Sequence, residues 1–173
     1  MEIRDKDGLT EAEYLAAYAQ KNYPRPYLTA DLVLLAQDPL RVLLIRRKGH
    51  PYLGRWALPG GFAEPGESTY ETALRELSEE TGVDARACRV SELGLFSKPG
   101  RDPRGWVVSD VFTAAVRCES VHPVAGDDAA DARWFAVSFA EDGGLLLTAD
   151  ALRLTGRDLA FDHAEILARA LKR

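Results

Sequence analysis

Three glutamates in the segment from residue 61 to residue 83 stand at spacings that place them on one side of a helix. At ~100° per residue, Glu76, Glu79 and Glu80 fall within one arc of roughly 100°. Like charges three and four residues apart repel each other by about 0.2–0.5 kcal/mol per pair, and no lysine interrupts the trio. A divalent cation such as Mg²⁺ takes oxygen ligands and would relieve that repulsion. The pattern predicts a metal site, against the common alternative that such glutamates form a solvated helix face.

The neighbours of the three glutamates favour the metal site. Arg75 stands four residues before Glu79, so its guanidinium can hold that carboxylate in place. The helix is preceded by the turn at residues 59–61, Pro-Gly-Gly, and is followed by Gly82. Glycine at the entry lets backbone carbonyls approach a metal or a phosphate closely, and glycine at the end is a natural helix stop.

At this point the segment resembles the Nudix box. Gly61, five residues, Glu67, seven residues and then Arg-Glu-Leu-Ser-Glu-Glu-Thr-Gly-Val at 75–83 fill every fixed position of that pattern. The flanking residues resemble the family too, from LLIRR through RWALPGGFAEPGE and again at ARWF, so the likeness runs over roughly residues 28–137. The resemblance implies an enzyme that hydrolyses a nucleoside diphosphate linked to another group.

The resemblance also implies a set of metal ligands. It assigns Mg²⁺ or Mn²⁺ to several carboxylates and one backbone carbonyl: Glu67, Glu76, Glu79, Glu80 and Gly61, with Gly60 as the alternative carbonyl. Glu67 would either brace the loop or take a share of a metal. Metals neutralise the charge of a diphosphate and lower the pKa of a bound water, which suits in-line attack on phosphorus.

Two further residues receive catalytic roles from the resemblance. Arg75 would orient the glutamates through charge-assisted pairs. Family members differ in which carboxylate takes the proton from water, and some use a residue on a later loop. We predict Asp128, or its neighbour Asp127, for this role; the alternative is a turn whose aspartates cap local backbone groups.

The loop after the box indicates the substrate. Pro99 and the whole stretch at residues 97–106 resemble the ADP-ribose pyrophosphatases, and also the sensor domains of related regulators of NAD metabolism. Arg101 and Arg104 would present guanidinium forks to phosphate oxygens, unless the loop is simply mobile in solvent. Strand alternation lets one of two adjacent arginines point inward, and the resemblance favours Arg47.

These observations lead to one main function and two alternatives. The main prediction is hydrolysis of ADP-ribose to AMP and ribose 5-phosphate. The first alternative is the same chemistry on an oxidised nucleoside triphosphate, a dinucleotide or another sugar nucleotide. The second is a non-catalytic ADP-ribose sensor, although regulators of that kind usually add a DNA-binding winged helix and the stretch after Phe135 is too short for one.

Aromatic residues that could stack on adenine are harder to choose. Four candidates stand near the predicted site: Tyr27, Tyr52, Phe96 and Trp106. Aromatic residues in strands usually belong to the core, so each is a weak candidate. We expect His163, near the end of the chain, to have a structural role.

The elements that position these residues alternate irregularly along the chain. Periodicity and turn residues predict helices at 11–21, 68–81 and 159–171, and strands at 29–36, 41–47, 56–58, 88–96, 106–117 and 132–137. This order predicts an α+β fold, and the resemblance implies a Nudix-type α/β/α sandwich with a mixed β-sheet between helices. We expect one Nudix domain over residues 1–173, with an N-terminal helix and extension at 1–27.

Composition limits the partners and the compartment. The net charge is −5, so a broad nucleic-acid-binding surface is not expected, and the ligand is a small nucleotide instead. No apolar run approaches the ~18 residues of a membrane helix, and no signal peptide is present, so we expect a cytoplasmic protein. Tyr14 and Tyr18 on the first helix could serve a homodimer interface.

Overall fold

The structure is a computed structural model that describes residues 2–37, 39–84, 88–117, 122–126 and 129–172. Three α-helices and nine strands are found in these ranges. The helices are α1 (Glu11–Ala19), α2 (Thr69–Thr81) and α3 (His163–Ala170). The strands are β1 (Tyr27–Gln37), β2 (Arg41–Arg47), β3 (Trp56–Ala57), β4 (Gly60–Phe62), β5 (Val90–Phe96), β6 (Val107–Arg117), β7 (Ala129–Phe139), β8 (Leu145–Ala149) and β9 (Leu152–Thr155).

The described strands form one mixed sheet in the order β5-β6-β1-β2-β7-β8-β9. β1 runs parallel to β6 along its whole length, whereas the other pairs are antiparallel. β1 and β2 pair with each other near their connecting turn, through Leu35 with Val42 and Ala36 with Arg41. Farther from the turn, β4 pairs with β1 and β3 pairs with β2. The glycine turn at residues 59–61 is therefore held against β1.

α2 covers one face of the sheet. Its side chains Ala73 and Leu77 are fully buried against Leu32 and Leu34 of β1. Burying a leucine side chain contributes about 1.5–3 kcal/mol, so this contact fixes which face of the helix is turned away from the sheet. Tyr70, which the periodicity places on the same stripe, lies at the start of the helix and remains 41% exposed.

The ends of α2 follow the local sequence closely. Ser68 caps the helix through the Glu71 amide, and the Glu71 carboxylate accepts from the Ser68 amide in return. At the other end Gly82 adopts a left-handed φ of 67°, which favours glycine, and donates its N–H to the Ser78 carbonyl. These caps fix where α2 begins and ends, and so they fix the positions of the three glutamates along the helix beside β4.

α3 covers the opposite face. Ile166 and Leu167 are buried against Val33, Leu44 and Phe135. Side chains of β1 alternate accordingly, since Leu32 faces α2 while its neighbour Val33 faces α3. The prediction of an α+β fold, with a mixed sheet between helices in an α/β/α sandwich, is confirmed.

The third helix begins later than the sequence predicts. Leu159 and Ala160 are buried in extended chain, where Leu159 bridges to Trp56, and Phe161 takes a left-handed φ of 51°. The helix starts after this break. The prediction also misses β8 and β9, whose short apolar runs are joined by a turn in which Asp150 has a φ of 50°.

α1 lies apart from both core faces. Thr10 and Glu13 form the capping box that the sequence predicts, but no residue of α1 is buried. Tyr14, Leu15 and Tyr18 are exposed, and the two tyrosine rings stack at 6.0 Å between centroids. No helix of the described ranges has both the length and the apolar character needed to cross a bilayer.

Candidate active site

A cavity of about 600 Å³ opens where β1, β4 and α2 meet the loop after β5 and the segment before α3. This volume falls in the range of small-molecule sites, about 300–1,000 Å³. Six stretches of the chain contribute to its wall, among them the residues Asp31, Arg47, Lys48, Gly60, Gly61, Phe62, Arg75, Glu76, Glu80, Arg101, Asp102, Arg104, Phe161 and His163. The sheet therefore gathers carboxylates, guanidinium groups and aromatic rings around one space.

Arg75 is the centre of the acidic cluster. Its Nη1 donates to Glu76 Oε1 at 2.8 Å and to Glu79 Oε2 at 2.9 Å, and its Nε donates to Glu67 Oε1 at 2.8 Å. Nη2 also donates to the Phe62 carbonyl at 3.1 Å, which ties the helix to β4. These charge-assisted bonds raise the pKa of Arg75, so the side chain stays charged.

Glu67 connects the loop before α2 to the helix itself. Besides Arg75, it accepts from the Thr72 hydroxyl at 2.7 Å and from the Glu64 amide at 3.2 Å. The hydrogen bond from Arg75 is the main reason that its pKa falls to about 2. Glu67 is therefore ionised, and it joins Arg75, Thr72 and the backbone at Glu64.

Glu80 is a buried carboxylate, and Glu76 is a partly buried one. Glu80 is only 6% exposed and accepts from the Gly60 amide at 3.0 Å. Burial raises the pKa of Glu80 to about 8, while the Gly60 amide opposes that shift. Burial also raises the pKa of Glu76, against the effect of Arg75. Both carboxyl groups lie where a nearby positive charge would favour their ionised form.

Gly61 makes room for the Glu76 carboxylate. A Cβ atom at Gly61 would lie 2.3 Å from Glu76 Oε1 and 2.4 Å from its Cδ. β4 holds Gly61 opposite Ala30 of β1, so the backbone has little freedom to move away. Glycine here is required by the close approach of a carboxylate to the strand.

The carboxylates partly match the metal site that the sequence predicts. Within the described ranges, no three side chains of His, Cys, Asp or Glu are arranged to hold a metal ion, because Arg75 lies among the acids. Glu79 is turned to Arg75 and is not part of the cavity wall. Glu76 and Glu80 do face the cavity, and Gly61 leaves space for one of them. Carboxylates that line a cavity beside a glycine backbone fit a divalent cation, which prefers oxygen donors.

The two loop arginines are engaged differently from what we expect on sequence grounds. Arg101 is almost fully buried and donates to both oxygens of Asp162, from Nε at 2.8 Å and Nη2 at 2.7 Å. Arg104 forms a similar fork with Asp102, with Nη2 to Oδ2 at 2.6 Å. Aspartates therefore occupy the forks that the sequence suggests for phosphate. Pro99 is exposed and does not line the cavity.

Arg101 thereby fastens the loop after β5 to the start of α3. Replacing Arg101 with methionine is expected to lower the free energy of unfolding by about 3 kcal/mol, because the mostly buried Asp162 loses its charged partner. Urea unfolding would measure this. Adding Asp162→Asn should recover part of the loss. Arg133→Met, which removes solvent-accessible ion pairs with Asp131 and Asp150, should cost less than about 1 kcal/mol. An equal effect of both single variants would contradict the fastening role.

Arg47 lies on the cavity wall, whereas Arg46 is exposed and does not line it. The Arg47 Nε donates to the Pro51 carbonyl at 2.9 Å, and its guanidinium lies 5.0 Å from the centre of the Phe161 ring. The predicted base, Asp128, and its neighbour Asp127 lie outside the described residues.

The chain matches the description "NUDIX domain" over residues 26–152, most of its length. This chain belongs to the Nudix family. Nudix hydrolases in general use divalent metal ions. The acidic face of α2 and the glycine turn beside it are thus the Nudix signature of this chain in its folded form.

Three similar proteins carry ADP-ribose in their descriptions. An ADP-ribose pyrophosphatase of Methanocaldococcus jannaschii is 39% identical over 145 residues, covering 84% of this chain and 73% of that protein. The ADPR responsive transcriptional repressor NtrR of Acinetobacter baylyi is 31% identical over 168 residues, covering 95% of this chain. The NUDIX domain of Shewanella oneidensis NrtR, crystallised with ADP ribose, is 35% identical with a TM-score of 0.76, covering 95% of this chain and 99% of that one. The chain spans 60% of the length of the Acinetobacter repressor.

Sequence reasoning missed a buried polar pair on the cavity wall of this Nudix fold. His163 is 3% exposed, and its Nδ1 accepts from the Leu58 amide at 2.9 Å. Its Nε2 lies 3.7 Å from Asp31 Oδ1, and the Ser109 hydroxyl donates to the other Asp31 oxygen. Burial lowers the pKa of His163, so the ring is neutral. An aspartate inside the apolar run TADLVLLA was the available signal, since such residues are rarely buried without a partner.

The aromatic residues on the wall also differ from the four candidates. Phe62 and Phe161 line the cavity, and the described wall includes none of the four. Tyr27 and Tyr52 instead make edge-to-face contacts with Phe62 and Phe161, at 5.9 Å and 4.8 Å between centroids. Phe96 belongs to the core under α3, and Trp106 is 56% exposed.

Proposed function

We propose that this chain hydrolyses the diphosphate of ADP-ribose to AMP and ribose 5-phosphate with Mg²⁺ or Mn²⁺. The observation that carries the proposal is the pair of carboxylates on the cavity wall, the buried Glu80 and the partly buried Glu76, of which Glu76 lies against Gly61. The likeness to an ADP-ribose pyrophosphatase supports the choice of substrate. The cavity joins these acids to cationic and aromatic groups, as an adenine nucleotide with a diphosphate requires.

We assign metal binding and the positioning of the metal ligands to the following residues. Glu76, Glu80 and the Gly61 carbonyl would hold the metal ion, with Glu79 and Glu67 as further ligands. When bound there, the ion would neutralise charge at the diphosphate and lower the pKa of the attacking water. Arg75 holds the carboxylates of α2 in position through the bonds described above.

The remaining residues act on the substrate and on the shape of the site. We assign binding of the diphosphate to Arg47, which lines the cavity, and removal of the proton from water to Asp128. Arg101 acts as a positioning residue, since its fork holds Asp162. We assign no substrate contact to Pro99, because it is exposed away from the cavity.

A hydrolysis assay tests the proposal directly. The protein is incubated with ADP-ribose and Mg²⁺ in H₂¹⁸O, and products are followed by ³¹P NMR and mass spectrometry. We expect AMP and ribose 5-phosphate, with ¹⁸O in the product whose phosphorus was attacked. A parallel panel with an oxidised deoxynucleoside triphosphate, a dinucleotide and another sugar nucleotide compares kcat/KM values. If one of these compounds had a higher kcat/KM than ADP-ribose, that compound would be the preferred substrate.

A second candidate function is ADP-ribose sensing without hydrolysis. The likeness to the ADPR responsive repressor and to the NUDIX domain crystallised with ADP ribose favours it. The same assay separates the two functions when calorimetry is added. Tight binding of ADP-ribose with no AMP formed would support the sensor, and absence of both binding and turnover would rule out both.

We also propose that α1 pairs two copies of the chain into a homodimer. The support is that α1 buries no residue of its own and exposes Tyr14, Leu15 and Tyr18. Light scattering on the purified protein should give twice the chain mass of 19.0 kDa. The double variant Tyr14→Ser/Tyr18→Ser should give the single mass, and a monomeric parent protein would rule out the pairing.

A further inference from the structure

We propose that Phe62 and Phe161 form a stacking site for the nucleobase, and that the Arg104 guanidinium must leave these two rings for the base to enter. The inference rests on the proposed function because it assumes a nucleotide substrate. It names the part of that nucleotide that binds to this wall of the cavity. It assigns nucleobase binding to two residues outside the metal ligands.

Arg104 lies against both rings. Its Cζ is 4.6 Å from the centre of the Phe62 ring and 5.5 Å from the centre of the Phe161 ring. Both separations are within the range of cation–π contact, about 6 Å. The faces of two aromatic rings from distant parts of the chain are thus turned to one planar group, and the cavity lies beside them.

The backbone presents Phe161 to the cavity in an uncommon conformation. Its φ of 51° lies in the left-handed region, which non-glycine residues seldom adopt. The segment is fixed on both sides, because the Ala160 amide donates to the Trp56 carbonyl at 2.7 Å and Asp162 holds Arg101. Residues kept in such conformations by their surroundings are concentrated at functional sites.

Neighbouring rings pack against the two phenylalanines. Tyr27 and Phe62 are in edge-to-face contact, and so are Tyr52 and Phe161. Phe62 directly follows Gly61, so a base on this ring would hold the attached ribose and phosphate close to the acidic cluster. The Arg47 guanidinium, to which we assign the diphosphate, lies 5.0 Å from the centre of the Phe161 ring.

The aromatic surface that Arg104 covers suits a planar nucleobase such as a purine. A guanidinium is planar and stacks on aromatic faces, and a purine is planar with a larger π surface. Stacking of a base on aromatic side chains tolerates any base, because every base has a π face. Asp102, 3% exposed, holds the Arg104 fork, so the guanidinium moves only if that pair rearranges.

Calorimetry with adenosine tests the stacking site. Adenosine carries the base without phosphates, and D-ribose serves as the probe without a base. Phe62→Leu and Phe161→Leu are each expected to weaken adenosine binding about 10-fold, which corresponds to about 1.4 kcal/mol. Trp106→Leu, which removes an exposed aromatic ring outside the cavity, should leave the affinity unchanged. Thermal melting confirms that each variant is folded.

Several outcomes would overturn the inference. They are no measurable adenosine binding by the parent protein, unchanged affinity in both leucine variants, and equal binding of D-ribose. Arg104→Gln tests the displacement separately. We expect adenosine to bind at least about twofold more tightly to that variant, because no cation then competes for the rings. Weaker binding would mean that Arg104 itself holds the base.

The adenosine experiment fails independently of the proposed function. If ADP-ribose is not cleaved but the leucine variants lose adenosine, the stacking site stands and the hydrolase is wrong. If ADP-ribose is cleaved and both leucine variants keep the parent KM, the hydrolase stands and the stacking site is wrong.

Discussion

Replacing Glu80 with glutamine is expected to lower the kcat/KM for ADP-ribose by more than about 100-fold and to leave the fold intact. Changes that only disturb the surroundings of metal ligands already cost about 10–100-fold, so loss of a ligand's charge should cost more. Glutamine has the size of glutamate and can still accept from the Gly60 amide. A buried amide also costs less than a buried carboxylate, so the thermal midpoint should not fall.

A matched control lies on the same helix. Glu71→Gln removes the same charge from α2, but Glu71 caps the helix start and does not line the cavity. Glutamine also serves in a capping box, so this variant should keep its stability and its turnover. Calorimetry with Mn²⁺ provides a readout besides activity, and Glu80→Gln should bind the ion more weakly than Glu71→Gln. Near-parental turnover of Glu80→Gln would contradict the metal assignment.

The acidic helix was predictable because its determinants are local. The capping pair Ser68 and Glu71, the apolar stripe with Leu77 and the terminal Gly82 all lie within 15 residues of one another. Periodicity then defines the face on which the glutamates stand. It does not define how far each carboxylate reaches into the interior, and so it did not separate the cavity-facing Glu76 and Glu80 from Glu79.

Long-range pairs explain most of what sequence reasoning missed. Asp31 meets His163 because its side chain leaves β1 on the face of the sheet that α3 covers. No local sequence pattern encodes this long-range contact. Arg101 has the setting of a phosphate-binding loop, but its partner Asp162 lies 61 residues farther along the chain. Arginine side chains form two-pronged contacts with carboxylates as well as with phosphates. The sequence alone does not show which of the two groups the guanidinium binds in the folded protein.

The start of α3 shows the same limit in the backbone. Leu159 continues the apolar spacing of the helix, so the periodicity extends too far toward the N-terminus. Leu159 is buried instead by bridging to Trp56 of β3, and the left-handed Phe161 separates it from the helix. Tertiary burial overrides the helical pattern here, and the break that results is what turns Phe161 toward the cavity.

Replacing Gly61 with alanine is expected to remove most of the activity, by roughly 10–100-fold in kcat/KM, with a small change in thermal stability. The new Cβ would lie 2.3 Å from Glu76 Oε1, so the carboxylate must move. That movement would break its 2.8 Å bond to Arg75 and withdraw the group from the cavity. Because the obstructing atoms are the end of a flexible side chain, the backbone can remain in place.

Gly60→Ala is the comparison variant for this test, because its new Cβ would clash with backbone atoms and not only with a side chain. Its Cβ would lie 2.4 Å from the Ala30 carbonyl oxygen and 2.8 Å from the Asp31 Cα, both on the backbone of β1. That variant must separate β4 from β1, so its thermal midpoint should fall well below that of Gly61→Ala. Gly49→Ala, whose Cβ would meet nothing within 4 Å, should melt like the parent protein. If Gly61→Ala kept full activity, the position of the Glu76 carboxylate beside β4 would have no part in the reaction, because only that carboxylate is obliged to move.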